Sequence, residues 1–155
     1  MKVFAYGALM SPTHMKRIGV TPTLRIPAFL EGYALRFEKK QLHNPFYGAA
    51  NIQKTIASTK VFGILLELSD KDIAIIDILE EYPIGYIKEI VTVTLMSGDK
   101  VEATAYIAHP EMVAENLLPT KEYVGLICES VDILPEEYLK LIREMKTLPD
   151  SVDEV

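Results

Sequence analysis

The chain has a single cysteine, Cys128, among 155 residues, so no intramolecular disulfide can form. A reducing compartment is compatible with that count. Cys128 follows Gly125-Leu126-Ile127, an apolar setting that reads as a small buried hydrophobe rather than a nucleophilic thiol. No apolar run reaches membrane-spanning length. The apolar start Met1-Lys2-Val3-Phe4 stops at Gly7 and lacks signal-peptide anatomy. The expected location is therefore cytoplasmic, with no membrane partner. Positive charge is also scarce: 16 Lys and Arg stand against 22 Asp and Glu, a net charge of −6. That balance argues against a broad nucleic-acid footprint, though not against an anionic small molecule, because local potential is set by the site. The three histidines, His14, His43 and His109, fall in different loops or at a helix start, and no two have ligand spacing. No metal is expected. No serine sits in a nucleophile elbow and no phosphate-loop motif occurs.

What is present is ordinary for a globular protein, with 49% hydrophobic and 25% charged residues. A chain of this length buries roughly two-thirds of its unfolded surface. Without repeats or a low-complexity linker, it is expected to form one domain over residues 1–148, followed by a flexible acidic tail at 149–155. Lys2 to Tyr6 reads as a strand, and a short helix is expected from Pro12 or Thr13 to Arg17, closed near Gly19. Thr23 to Glu38 is extended, as two strands or one bulged strand. Lys39 to Tyr47 is polar, contains Asn44-Pro45 and reads as a loop. Gly48 to Ile52 suits a short buried strand, and Val61 to Leu66 is continuously apolar, as in a strand buried on both faces. Ser69-Asp70-Lys71-Asp72 has the form of a capped helix start, and Pro83 limits that helix. Tyr86 to Met96 and Val101 to Ile107 form a hairpin around Ser97-Gly98-Asp99-Lys100. Thr120 to Glu129 is helical. Pro135 opens a final helix with Tyr138, Leu141, Ile142 and Met145 at helical spacing. Strands early and helices late make an α+β pattern.

Two features point to chemistry. The first strand breaks into Gly7-Ala8-Leu9-Met10-Ser11-Pro12, a turn that leaves backbone N–H groups free to cradle a carboxylate, a carbonyl oxygen or a phosphate. In the central helix, Ile73, Ile76, Asp77 and Glu80 fall at i, i+3, i+4 and i+7 and share a face, which Ile75, Ile78 and Leu79 widen. Two carboxylates on an apolar stripe are costly unless paired. Asp77 is better explained structurally, at the stripe edge or paired with an arginine. Glu80, one turn from the helix end, is as well placed for function: a desolvated carboxylate of raised pKa suits a general acid or base near neutral pH. Tyr6, Tyr86 and Tyr123 lie beside these segments, where a phenol could hydrogen-bond a ligand while its ring packs.

These pieces resemble the γ-glutamylcyclotransferase-like proteins. Tyr6-Gly7-Ala8-Leu9-Met10 is similar to their Tyr-Gly-Ser-Asn/Leu-Leu/Met opening. Asp77-Ile78-Leu79-Glu80-Glu81-Tyr82-Pro83, followed by Tyr86, resembles their Asp-x-x-Glu-Gly-x-Pro-x-x-Tyr segment. Val61 to Leu65 is similar to the strand before that helix, and Lys121 to Val124 with Leu134 to Leu139 to the C-terminal portion of the γ-glutamylcyclotransferase branch proper. The resemblance implies an α+β fold: a small closed or partly open mixed β-barrel with peripheral helices and a cavity at its mouth. It implies cyclisation of a γ-glutamyl group to 5-oxoproline with release of an amine or amino acid. It assigns Glu80 as the catalytic acid/base, and Tyr6, Gly7, Ala8, Leu9, Tyr86 and Tyr123 to substrate binding. The expected partner is a small γ-glutamyl compound, with no metal or redox cofactor, and the resemblance leaves room for a homodimer. Two positions depart from the pattern: Ala8 replaces a common serine, and Glu81 stands where glycine is usual. A related branch that removes γ-glutamyl from another amine during biosynthesis is a second reading. A non-catalytic binding or interaction module on the same fold is a third.

Overall fold

The computed structural model describes residues 1–56 and 58–149. Five strands close a barrel in the order β1 (Lys2–Ala5), β5 (Lys60–Glu67), β2 (Leu24–Glu31), β6 (Tyr86–Leu95) and β7 (Lys100–Ala108). The pairs are antiparallel except β1 with β7, which meet in parallel at Val3 and Thr104 and complete the closure. β3 (Tyr33–Gln41) and β4 (Asn44–Lys54) form a separate two-stranded antiparallel sheet. Four helices surround the barrel: α1 (Pro12–Ile18), α2 (Asp70–Leu79), α3 (Lys121–Ile127) and α4 (Glu136–Arg143). The architecture is α+β, with a fully closed mixed barrel.

Local chemistry accounts for most boundaries. Ser11 caps α1 by accepting from the His14 N–H (3.0 Å), Pro12 supplies the first helical φ, and Gly19 ends the helix at φ +77°. Ser69 caps α2 by accepting from the Asp72 N–H (3.1 Å), and Asp70 and Asp72 complement its N-terminal dipole. Val61 to Leu66 is continuously apolar because β5 lies between β1 and β2 at the centre of the core. Gly63 there is a packing requirement: an added Cβ would stand 2.3 Å from the Ala5 carbonyl oxygen and 2.7 Å from the Phe4 ring. Val3, Phe4, Ile64, Leu66 and Val93 fill the interior, and α2 closes over it with Ile73 and Ile76.

The segment Lys39 to Tyr47 is not a loop. β3 runs on to Gln41, turns at Leu42-His43 and returns from Asn44 as β4, which extends well beyond the short strand expected at Gly48–Ile52. Lys40 faces water from this two-stranded sheet while Lys39 is buried, so polar composition does not break the strands. A bulge between Phe37 and Lys39 shifts the register against Ala50 and Ala49. The excursion after β7 runs alongside this hairpin: Ala114 N–H donates to Glu38 O (2.9 Å) and Gly48 N–H to Leu118 O (2.9 Å).

Two apolar faces differ from the helical-spacing expectation. In α4 the buried residues are Leu139 and Ile142, whereas Leu141 is 68% exposed and Met145 lies outside. In α2, Ile78 and Leu79 do not widen the buried face; Ile78 is 77% exposed. The expected acidic tail, from Asp150 on, lies outside the described residues, as does Ala57.

Candidate active site

A cavity of about 240 Å³ opens between the end of β1, the C-terminal end of α2, the start of β6, α3 and the β3–β4 hairpin. The seven positions named from the sequence, Tyr6, Gly7, Ala8, Leu9, Glu80, Tyr86 and Tyr123, all line it. They come from the β1 turn, α2, β6 and α3, so the barrel closure brings together residues more than 100 positions apart. Lys39, Gln41, Tyr47, Glu81, Tyr106 and His14 join the wall as well.

Glu80 ends α2, its N–H still bonded to the Ile76 carbonyl (2.8 Å). The residue is half-buried overall, and its carboxylate takes no hydrogen bond or ion pair among the described residues. Burial raises its pKa from 4.5 to about 7, with the Glu81 charge pushing the same way and the Lys39 ammonium pulling against them. Asp77 does not line the cavity. It is spent on the fold, accepting from the Tyr106 hydroxyl (2.6 Å) and pairing with Lys88 (3.0 Å). Its partners are a lysine and a phenol on β6 and β7, not an arginine.

The residue after Glu80 turns the chain sharply. Glu81 has φ +52°, the left-handed region that favours glycine, and the Tyr82–Pro83 peptide is cis. The glycine usual at this position is thus explained by backbone geometry. Glu81 also faces the cavity and pairs with Lys39 at 3.8 Å.

On the opposite wall, the turn after β1 closes with Met10 N–H donating to Gly7 O (3.0 Å). Tyr123 Oη accepts from the Ala50 N–H (3.2 Å) and from the Ala8 N–H, so one amide of the expected cradle is already engaged. A Cβ on Gly7 would come within 3.0 Å of Tyr123 Oη and 3.1 Å of Ala50 Cβ. Glycine here allows the loop to lie against Tyr123.

The tyrosines divide by role. Tyr6 donates to the Tyr106 carbonyl and Tyr86 to the Ala50 carbonyl (2.8 Å), so both hydroxyls serve the fold and only their rings remain for a ligand. Tyr123 accepts two amides and keeps its own proton to donate. Tyr47, which the sequence did not mark, packs edge-on against Tyr123 at 5.7 Å. Burial raises the pKa of each of these phenols, so all are neutral donors at ordinary pH. Burial, helped by the Arg17 charge, holds the His14 imidazole below its usual pKa. His43 and His109 do not reach the cavity. Among the described residues, no group of three or more His, Cys, Asp or Glu side chains is placed to hold a metal ion.

Lys39 is the feature that sequence reading missed. It lies in a polar run, Glu38-Lys39-Lys40, yet it is only 3% exposed. The bulge between Phe37 and Lys39, which breaks simple alternation along β3, sets its inward side, and nothing in the local sequence marks it.

The family model for γ-glutamyl cyclotransferase, AIG2-like, matches residues 3–125, which span β1 through most of α3. The chain belongs to the γ-glutamyl cyclotransferase, AIG2-like family. Solved structures reproduce the fold across α4 as well. A structure titled gamma-glutamyl cyclotransferase superposes with a TM-score of 0.81 at 19% identity, covering 97% of this chain and 90% of its own. YkqA from Bacillus subtilis superposes at 0.77 with 21% identity, over 97% of this chain and 56% of its own. A yeast γ-glutamyl cyclotransferase specific to glutathione superposes at 0.62 with 17% identity, over 93% of this chain and 94% of its own. A comparison with curated proteins finds no match.

Proposed function

We propose that the protein is a γ-glutamyl cyclotransferase with Glu80 as its general acid/base. The single observation that carries this reading is the Glu80 carboxylate: unpartnered, raised to about 7, and lining the same cavity as the Gly7–Leu9 turn. Family membership supplies the reaction class, and the cavity wall supplies a group for each step.

The reaction is intramolecular. The α-amine of a γ-glutamyl compound attacks its own γ-carbonyl carbon, a C–N bond forms to close the five-membered lactam, and the original amide C–N bond breaks. Glu80 takes the proton that the attacking nitrogen loses and returns it to the leaving nitrogen, so the carboxylate ends as it began. A pKa of about 7 suits both transfers, because neither protonation state is strongly favoured near neutrality. Negative charge gathers on the γ-carbonyl oxygen in the transition state. The remaining turn amides and the free Tyr123 O–H proton are the donors on that side. The walls hold the substrate folded for attack, which can be worth roughly 7–11 kcal/mol in such ring closures.

The test is chromatographic detection of 5-oxoproline from a panel of γ-glutamyl amino acids, γ-glutamyl amines and glutathione. Turnover of at least one member supports the reading. Binding without turnover across the panel would replace it with a small-molecule-binding module on the same fold.

A further inference from the structure

The Lys39 ammonium is the unexplained charge in this cavity. Its side chain is 4% exposed, and a buried ammonium is costly unless hydrogen-bonded acceptors replace its water. The acceptor it has is a poor one. Glu81 Oε1 stands 3.8 Å away, beyond hydrogen-bond length, on a side chain that is 54% exposed. Lys39 Nζ also lies 5.3 Å from the centroid of the Tyr86 ring, an electrostatic contact that fixes its direction but accepts no conventional hydrogen bond. Among the described residues no hydrogen bond from Nζ is formed. Three N–H donors therefore end in the cavity with acceptor capacity missing.

The backbone is built to place this group. The bulge at Glu38 puts Lys39 opposite Ala49 instead of one residue further along β4. Gly48 allows the bulged strand to approach, since a Cβ there would stand 2.2 Å from the Phe37 carbonyl oxygen. Gly85, just before β6, lies beside both Glu80 and Lys39: a Cβ there would stand 2.8 Å from the Glu80 carbonyl oxygen and in ordinary contact, 3.4 Å, with Lys39 Nζ. Lys39 and Glu80 line the same cavity, and the Lys39 charge acts on the Glu80 carboxylate, so the cavity offers a cation and a carboxylate together.

We propose that Lys39 binds the α-carboxylate of the γ-glutamyl group, so that Lys39 and Glu80 together recognise the substrate's α-amino-acid head. This rests on the cyclotransferase reading above and adds its specificity. The carboxylate and amine are borne by one carbon, and the paired charges of the cavity match them in sign. With the carboxylate on Lys39, the amine lies toward Glu80, the group that must take its proton. The product keeps the same carboxylate, so 5-oxoproline binds through Lys39 too. Compounds lacking that carboxylate lose the contact whatever their leaving group.

The test compares binding of 5-oxoproline with that of its neutral amide, 5-oxoprolinamide, by titration calorimetry on wild type, Lys39→Met, Lys39→Gln and Lys39→Arg. Circular dichroism verifies that each variant is folded. A charged hydrogen bond predicts that wild type prefers the acid by about ten- to a hundredfold. Lys39→Met and Lys39→Gln lose the preference, and Lys39→Arg keeps part of it. Undiminished preference in either neutral variant, or no preference in wild type, overturns the role of Lys39. Release of 5-oxoproline by wild type is scored separately. If release occurs while the neutral variants keep the preference, only the Lys39 assignment fails. If wild type releases no 5-oxoproline from any member of the panel, the cyclotransferase reading fails and takes this one with it.

Discussion

Glu80→Gln should make the protein more stable at neutral and alkaline pH while removing its proposed activity. The folded-state pKa of Glu80 is raised from 4.5 to about 7, so the ionised carboxylate is less favourable in the fold than in the unfolded chain. Each tenfold change in acidity is worth about 1.4 kcal/mol, giving about 3 kcal/mol for the full difference. The carboxylate opens on a cavity that admits solvent, which reduces the effect to about 2 kcal/mol. The Glu80 contribution is fully present below 4.5, is lost as pH rises from 4.5 toward 7, and changes no further above that. Glutamine fills nearly the same volume and carries no charge, so the variant lacks this pH dependence. Urea unfolding at pH 4 and pH 8 measures it. The two proteins should nearly coincide at pH 4, and the variant should lead by about 2 kcal/mol at pH 8 with an unchanged m value. In a 155-residue chain that corresponds to about 4–8 °C in Tm. A variant equal to or less stable than wild type at pH 8 would refute the claim that the fold holds this carboxylate at an energetic cost.

Other outcomes follow from the same geometry. Gly63→Ala forces a Cβ against the Ala5 carbonyl inside the barrel and should cost about 3 kcal/mol, read as a lower urea midpoint. Gly7→Val meets Tyr123 Oη and Ala50 Cβ at the cavity wall instead. It should leave the barrel folded by circular dichroism but lower kcat/KM for 5-oxoproline release about a hundredfold, through displacement of the loop. The pH profile of kcat/KM should rise with an inflection at about 7, where Glu80 ionises, and not near 4.5.

Much of this site is legible in the sequence because its parts are local. The cap at Ser69, the stop at Gly19 and the β6–β7 hairpin are written within a few residues of where they act. Glu80 stands out because helical spacing puts a carboxylate on an apolar stripe. What is hidden depends on long-range contact. Asp77 finds its partners on β6 and β7, which no pattern within α2 reveals. Lys39 sits among charged neighbours, and only the inward side of β3, set by a bulge and by pairing with β4, turns it into a cavity group. The same blindness made β3 and β4 read as a loop between Lys39 and Tyr47. In α4, apolar residues at helical spacing do not say which of them the barrel covers, and Leu139 with Ile142 wins over Leu141 and Met145. Glu81 has a physical meaning only once its positive φ is seen.

The central claim is that the Glu80 carboxylate moves the proton during ring closure. Side-by-side turnover of the best γ-glutamyl substrate by wild type and Glu80→Gln, with 5-oxoproline quantified directly, tests it. A loss in kcat of about 10²- to 10⁴-fold with the fold intact is expected. Release by the variant at a rate close to wild type would contradict it.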